Sequence, residues 1–187
     1  MSPNLKTTRN PPNTILAIDP STRDLGVAVF AAGHLAYYAV KSVRPQRPRR
    51  ALLQSIAYII EHLINEFEPS VLAIERIALL QRSEAMVSVV TDEIRMMAID
   101  FGLVIYEYDL ALVRRLICQS PDATKQLTML ALCNHYPELS QYVDGQSKGR
   151  MRHYGHLFDA VAVGLVCARE TVDLEQPVIH IQQQVLF

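Results

Sequence analysis

Residues 15–30 read ILAIDPSTRDLGVAVF, and the expected arrangement of the chain can be worked outward from them. Ile15 to Asp19 is a short apolar run that closes on an acid, which is typical of a buried strand. Apolar residues resume after a polar interval, so Leu25 to Ala31 is predicted as a second strand. A third strand, Leu35 to Val43, follows a tight turn at 32–34, and the three strands are expected to form an antiparallel meander.

The rest of the chain alternates predicted helices with predicted strands. Helical spacing of apolar residues, caps and prolines mark four helices, and two short apolar runs mark strands. The expected elements are, in order, a helix at Ala51–Phe67, a strand at Val71–Glu75, a helix at Arg82–Phe101, a strand at Leu103–Tyr108, and helices at Ser120–Tyr136 and Phe158–Glu170. This order predicts an α/β domain in which helices flank a mixed five-stranded sheet.

Length and composition are those of a single domain. The chain has 187 residues, 50% of them apolar, which is enough for an ample core. We expect the domain to span 14–170, between a fraying N-terminal segment, 1–13, and a C-terminal tail, 171–187. The formal net charge of −1 argues against a protein that is basic all over, although a nuclease needs only a basic groove around an acidic centre.

The cysteines and the distribution of apolar residues indicate the compartment. Cys118, Cys133 and Cys167 include no CxxC pair, so free thiols in a reducing cytosol are expected. Neither a signal-peptide pattern nor an apolar run of membrane-spanning length is found in the sequence. A cytoplasmic protein without a membrane partner is therefore predicted.

Four candidate metal ligands stand at the ends of well-separated apolar segments. Asp19 closes ILAID and Glu75 closes VLAIE, whereas His156 and Asp159 lie three positions apart in GHLFDAVAVGL, on one face of a helix. A carboxylate at the end of a buried strand costs several kcal/mol unless it meets a cation or donors. Three such acids and a histidine predict a site for Mg²⁺ or Mn²⁺ rather than zinc. The chemistry expected there is two-metal hydrolysis of a phosphodiester.

Four blocks, at 15–30, 71–77, 104–108 and 156–165, read ILAIDPSTRDLGVAVF, VLAIERI, VIYEY and HLFDAVAVGL. In this order they resemble the RuvC-type Holliday-junction resolvases, which have the ribonuclease-H-like fold. The resemblance implies a structure-selective endodeoxyribonuclease that cuts four-way DNA junctions in the nucleoid. It also implies a homodimer built on the helix at 82–101, whose two-fold symmetry would place one cut in each of two opposed strands.

The resemblance assigns metal-binding roles within this sequence. Asp19 would bind both of two Mg²⁺ ions, Glu75 one of them, and His156 with Asp159 the other. Some members carry Asp at the position of His156, and others carry His. Many relatives have an aromatic residue at the position of Ala78, where it stacks on a base at the crossover. Ala78 cannot stack, so another element would have to open the junction.

Basic residues for the DNA backbone come from two sources. By resemblance, Arg114 and Lys125 fall where the family places cations that hold the scissile phosphate and stabilise charge in the transition state. A basic run in a predicted loop is the other candidate for phosphate contacts. It comprises Lys148, Arg150, Arg152 and His153, and a second basic run, Arg44, Arg47, Arg49 and Arg50, is a candidate of the same kind.

Each candidate also has a purely structural explanation. Asp19 before Pro20 fits a turn acid, and Glu75 fits a strand-end carboxylate with its own donors. His156 fits a partly buried core histidine, and Asp159 fits a first-turn acid favoured by the helix dipole. The lysines and arginines fit solvated surface charges.

Two other functions stay open. DPSTRDLGVAVF also resembles the first phosphate loop of actin-like sugar kinases, but with seven glycines in the chain no second Gly-rich loop accompanies it. The other alternative is a non-catalytic junction-binding relative. The presence of all four candidate ligands argues against it, and metal-dependent cleavage would decide.

The last residues suggest a further partner. Gln183 to Phe187 reads QQVLF and resembles the Gln-x-x-Leu-Phe peptides by which bacterial replication and repair proteins dock on the sliding clamp. In such peptides the glutamine orients the chain while Leu186 and Phe187 would fill an apolar pocket. The alternatives are an extra edge strand at 178–181 or a disordered end.

Overall fold

The computed structural model describes residues 14–43, 49–77, 85–143 and 148–175, with the side chains of 148–152 and 172–175 excepted. Its strands are β1 (Ile15–Asp19), β2 (Asp24–Ala31), β3 (His34–Ser42), β4 (Val71–Glu75) and β5 (Val104–Tyr108). Its helices are α1 (Arg49–Phe67), α2 (Ala85–Asp100), α3 (Leu110–Cys118), α4 (Lys125–His135) and α5 (Lys148–Glu175), with a 3₁₀ turn at Pro137–Tyr142.

The strands form one mixed sheet in the order β3-β2-β1-β4-β5. β2 pairs antiparallel with both β1 and β3, whereas β4 lies parallel to β1 and β5 parallel to β4. The predicted α/β fold, a mixed five-stranded sheet whose first three strands are antiparallel, is confirmed. Because β1 and β4 are parallel neighbours, their carboxyl ends lie at the same edge of the sheet.

Alternation along the central strands assigns their side chains to two cores. Ala17 belongs to the core shared with α3, α4 and α5, whereas Ile18 belongs to the core shared with α1 and α2. Asp19 lies two residues beyond Ala17 and therefore faces α5. Glu75 lies two residues beyond Ala73 of the same core and faces α5 as well.

The helices after β5 differ from the prediction. The sequence predicts a single helix from Ser120, but the chain first forms α3 and begins α4 only at Lys125. Ser120 lies in a turn because Gln119 ends α3 in the left-handed region, at φ 49°. Thr124 then caps α4. The predicted helix start was wrong because Ser-Pro and Thr are both capping signals, and local sequence does not rank them.

α5 begins earlier and ends later than predicted, at Lys148 and Glu175 rather than Phe158 and Glu170. Gly155 weakens the helical pattern in the sequence, yet it is buried, so the packed side of the helix continues through it. The prediction of a basic loop was therefore wrong, and a helical backbone carries Lys148, Arg150, Arg152 and His153.

Several predictions fall partly or wholly outside the described residues. α2 accounts for the predicted helix at 82–101 from Ala85 onward, whereas Ala78, the segment 1–13 and residues 176–187 with the QQVLF motif are not described. None of the described helices has the length and apolar character needed to cross a membrane. Cys118, Cys133 and Cys167 form no disulfide with one another.

Candidate active site

Two carboxyl groups meet where β1 and β4 end. Ile18 pairs with Ile74, so the next residues, Asp19 and Glu75, close neighbouring parallel strands. Both face α5, and a hydrogen bond joins their side chains. The apolar run before each acid draws the strand into the core, so that only its last side chain is placed at the edge.

Burial controls the protonation of this pair. It raises the pKa of Asp19 from its ordinary 3.8 to about 7. Burial, followed by the hydrogen bond with Asp19, raises the pKa of Glu75 from 4.5 to about 9. The shared hydrogen bond lowers the pKa of Asp19 and raises that of Glu75, so Glu75 holds the proton and donates it. The two groups ionise together only if positive charge is brought to them.

His156 approaches the same carboxyl group from α5. Its Nδ1 lies 2.6 Å from Oδ2 of Asp19. Burial, and then the nearby Lys125 charge, lowers the pKa of His156. A lowered pKa favours the neutral imidazole, so the contact is closer to a hydrogen bond than to an ion pair. Gly26 permits the approach, because it pairs with Asp19 in the sheet and a Cβ atom on it would overlap the His156 backbone carbonyl.

Asp159, three residues further along α5, is held by two cations. Nη2 of Arg114 lies 3.2 Å from its Oδ1, and Nζ of Lys125 contacts its Oδ2. The Asp159 side chain is only 6% exposed, so the two cations compensate a buried charge. Asp109 caps α3 directly after β5, and Thr124 caps α4, which sets the positions of Arg114 and Lys125.

Lys125 reaches Asp159 by crossing Gly155. A Cβ atom on Gly155 would lie 2.8 Å from both Cε and Nζ of Lys125. The Lys125 side chain is 39% exposed, so its ammonium group is accessible from outside the protein as well as bound to Asp159. Gly155 therefore sets the path by which the lysine enters the site.

The candidate ligands are of the types that bind a divalent cation, but in this structure their side chains contact other protein groups. Three carboxyl groups and an imidazole form a donor set for Mg²⁺ or Mn²⁺, and burial raises the pKa values of Asp19 and Glu75, so a cation beside them would favour their ionised forms. Among the described residues, no group of three or more such side chains is arranged to hold an ion. Asp159 is engaged by two cations and His156 by Asp19, so an ion bound to all four groups would have to replace these contacts.

The structure brings six predicted site residues to one edge of the sheet: Asp19, Glu75, Arg114, Lys125, His156 and Asp159. The side chains of the other three, Lys148, Arg150 and Arg152, lie outside the described residues. The sequence did not single out Gly155, Asp24 or Ser42, all of which lie at this site or beside it. Their contacts run to residues remote in sequence, so no local pattern marks them.

Both the sequence and the fold are similar to those of known proteins. A family model described as crossover junction endodeoxyribonuclease RuvC matches residues 15–139. The match covers Asp19, Glu75, Arg114 and Lys125 and ends before α5. It counts against the alternative of an actin-like phosphotransferase. The search of curated protein sequences returned no match.

Solved resolvase structures share the fold. Thermus thermophilus RuvC gives a TM-score of 0.67 at 20% identity, over 86% of this chain and 97% of that one. The T. thermophilus RuvC complex with Holliday junction substrate gives a TM-score of 0.67 at 21% identity, over 84% of this chain and 94% of that one. The yeast mitochondrial Holliday junction resolvase Ydc2 gives a TM-score of 0.63 at 9% identity, over 90% of this chain and 84% of that one. At these identities the likeness is one of fold.

Proposed function

Because the chain belongs to the family of crossover junction endodeoxyribonuclease RuvC, we propose that it resolves four-way DNA junctions by paired, symmetric nicks. Members of this family are hydrolases that act on DNA. The proposal therefore concerns the branched substrate, the metal and the cutting pattern. The complex of T. thermophilus RuvC with a Holliday junction supports the choice of substrate.

The observation that carries this proposal is the meeting of an acidic pair and two cations at one edge of the sheet. Asp19 and Glu75 need positive charge beside them, whereas Asp159 already has it from Lys125 and Arg114. A phosphodiester carries one negative charge and would compete with Asp159 for the two cations. Substrate entry would thereby release the Asp159 carboxylate for another partner.

The metal assignment belongs to this proposal. Nucleases of the family depend on divalent metal ions, and the residues that would hold two Mg²⁺ ions, or Mn²⁺ in their place, are Asp19, Glu75, His156 and Asp159. When bound, such ions supply activation of a water on one side of the phosphorus and stabilisation of the leaving oxygen on the other. The lowered pKa of His156 keeps its imidazole neutral, which is the form that ligates metals.

Lys125 and Arg114 would act on the phosphate itself. Both lie at the mouth of the site, and their contacts with Asp159 fix where their charges point. In this position they would stabilise the negative charge that develops on the nonbridging oxygens in the transition state. Lys148, Arg150 and Arg152 would contact phosphates further along the DNA.

A homodimer built on α2 completes the proposal. One face of this helix carries large apolar side chains that are well exposed, with Val89 at 44%, Met96 at 56% and Ile99 at 58%. Phe101 and Val104, just beyond the helix, are also exposed and extend the apolar surface. A two-fold dimer along this face would present two active sites to the two opposed strands.

Two assignments rest on the sequence. We propose that Gln183 to Phe187 docks on a sliding clamp, which would bring the enzyme to replicating or repaired DNA. A cytoplasmic, nucleoid-associated location would follow from the proposed substrate. A labelled peptide of the last ten residues, titrated with a bacterial clamp beside a Leu186→Ala, Phe187→Ala control, tests the docking.

The central test is cleavage of a labelled synthetic four-way junction, with Mg²⁺ and with a chelator. Duplex, fork and RNA–DNA hybrid substrates serve as controls. Symmetric nicks in opposed strands of the junction, dependent on Mg²⁺, are expected. Junction binding without cleavage in Mg²⁺ or Mn²⁺ would favour the non-catalytic alternative, and equal cleavage of duplex would overturn the substrate assignment.

A further inference from the structure

A polar cluster lies at the same edge of the sheet, on the side of β2 and β3. His153 Nδ1 lies 3.2 Å from Oδ1 of Asp24. The Ser42 hydroxyl donates to the same Oδ1 at 2.8 Å. Asp24 opens β2 and Ser42 closes β3, and the two residues pair in the sheet, so their positions are fixed by the backbone ladder.

The cluster flanks the candidate active site. His153 precedes His156 by three residues in α5, so the two imidazoles lie on one side of the helix, about one turn apart. Asp24 precedes Gly26, the residue that pairs with Asp19, by two positions in β2. Arg114 and Lys125 reach the same centre from α3 and α4. The cluster and these two cations therefore both border the acidic centre.

The geometry of the cluster suits ligand contact better than nucleophilic catalysis. Ser42 donates to Asp24 rather than to His153, so the histidine does not activate the hydroxyl. An imidazolium donates from both nitrogens, and the contact with Asp24 uses only Nδ1. The side chains of His153 and Asp24 are 36% and 28% exposed, which leaves the ring accessible to a large ligand.

We propose that His153 binds a backbone phosphate next to the scissile one, with Asp24 and Ser42 as the residues that position its imidazole. The inference rests on the proposed function, because it takes a DNA strand to lie across the Asp19 and Glu75 edge. Successive phosphates recur along such a strand, so a strand held at Lys125 presents another phosphate to one side. His153 lies on that side, and a partner carboxylate sets the orientation of its ring.

A structural role for the same cluster makes different predictions. If His153 only tied α5 to β2, its loss would shift His156 and lower the cleavage rate without changing affinity for DNA. A phosphate contact instead changes affinity and its dependence on salt, since each neutralised phosphate releases counterions. A lysine at position 153 can keep the phosphate contact but cannot reproduce the imidazole geometry.

The test compares His153→Gln, His153→Lys and the wild-type protein. Junction affinity is measured by fluorescence anisotropy over a range of salt concentrations without divalent ions, and cleavage is measured separately with Mg²⁺. His62→Gln is the matched control, because His62 also pairs with a carboxylate, Glu66, but lies on α1 across the sheet. Asp24→Asn, which removes the partner charge while keeping the shape, tests the positioning role.

We expect His153→Gln to weaken junction binding roughly tenfold, the scale of one charged hydrogen bond. Its log–log salt slope should flatten by up to about 0.9. His153→Lys should regain most of the affinity, Asp24→Asn should lose part of it, and His62→Gln should match the wild type.

Two results would overturn the inference: wild-type affinity and slope in His153→Gln, or slower cleavage by both His153 variants at unchanged affinity. Its failure is distinguishable from failure of the proposed function. A wild-type protein that binds the junction but never cleaves it sinks the proposed function, while the affinity pattern still supports the phosphate contact. An active wild type with an unaffected His153→Gln sinks the phosphate contact alone.

Discussion

Gly26 of β2 lies directly against the backbone carbonyl of His156, so closely that a Cβ atom on Gly26 would overlap it. The contact lets the first part of α5 settle onto the sheet beside the end of β1. Because Gly26 is paired with Asp19, the same close approach brings the His156 ring to the Asp19 carboxyl group. A missing side chain in one strand thus sets the distance between two candidate metal ligands.

Gly26→Ala should therefore push α5 away from the sheet. We expect a loss of stability of about 1–3 kcal/mol, the usual cost of overpacking, and a loss of cleavage in the protein that still folds. Thermal unfolding and junction cleavage per folded molecule measure the two effects. Gly33→Ala is the control. Gly33 has φ 79°, so an alanine there strains the backbone, but no atom lies near the position of its Cβ and no helix is displaced. Full cleavage by folded Gly26→Ala would show that the approach of α5 is not needed.

Asp19→Asn and Glu75→Gln should each abolish cleavage while leaving junction binding intact. Each change removes an ionisable ligand from the candidate metal site and leaves the cations of α3 and α4 in place. Single-turnover cleavage in Mg²⁺ and binding without Mg²⁺ are the measurements. Glu66→Gln, an exposed glutamate on α1, controls for loss of an acid elsewhere. Near wild-type cleavage by either site variant would remove that residue from the site.

His156→Asp should retain substantial activity, because a carboxylate is an equally good ligand for a hard cation. His156→Ala should lose at least about tenfold, the scale on which metal sites respond to disturbance. Cleavage rates across a Mg²⁺ titration distinguish weakened ion binding from a slower chemical step. Equal rates for His156→Ala and the wild type would return His156 to a packing role.

Gly155→Ala should lower activity without raising stability. Alanine favours a helix interior over glycine by about 1 kcal/mol, and the group nearest to the new methyl is the flexible end of Lys125, which can move aside. Moving aside takes the ammonium group away from Asp159. The buried Asp159 carboxylate then loses one of its two cations, which offsets the gain in helix stability. Cleavage should therefore slow, while the unfolding curve shows no added stability. If Lys125→Met and Gly155→Ala differ widely in cleavage, displacement of the lysine is not the cause.

Without divalent metal, stability should fall as pH rises. Burial raises the pKa of Asp19 to about 7 and that of Glu75 to about 9, so the folded protein binds these protons more tightly than the unfolded chain. Their stabilising contribution is complete at pH below about 4, declines above it and is lost as pH passes through 7 and 9.

Thermal unfolding in a chelator from pH 5 to pH 9 measures this decline. Glu75→Gln should flatten the upper part of the curve, and added Mg²⁺ should oppose the decline by binding the ionised carboxylates. A melting temperature that rises between pH 6 and pH 9 would contradict the assignment.

The central strands could be predicted because their signal is local. β1 and β4 begin and end at the predicted residues, since each is a five-residue apolar run closed by an acid. The side chain of that acid must lie at a sheet edge, so Asp19 and Glu75 could be singled out without coordinates. Their direct pairing depends on β1 and β4 being parallel neighbours, which the order of elements favours but does not enforce.

Helix boundaries after β5 could not be predicted in the same way. Ser120 and Thr124 are equally good caps in the sequence, and the choice between them depends on where α3 ends. The start of α5 is hidden because its first turns carry polar residues and glycine. Gly155 lies against the Lys125 side chain, and no local periodicity records the contact.

The sequence by itself determined which residue types form the site and which strands end in an acid. It also carried the family resemblance that assigned roles to these residues. Only the tertiary structure decided which groups touch. The hydrogen bond of His156 with Asp19 joins residues 137 positions apart, and Arg114 and Lys125 meet Asp159 across 45 and 34 positions. Such contacts depend on how helices settle on the sheet. That arrangement is set by packing over the whole core and leaves no spacing pattern in the chain.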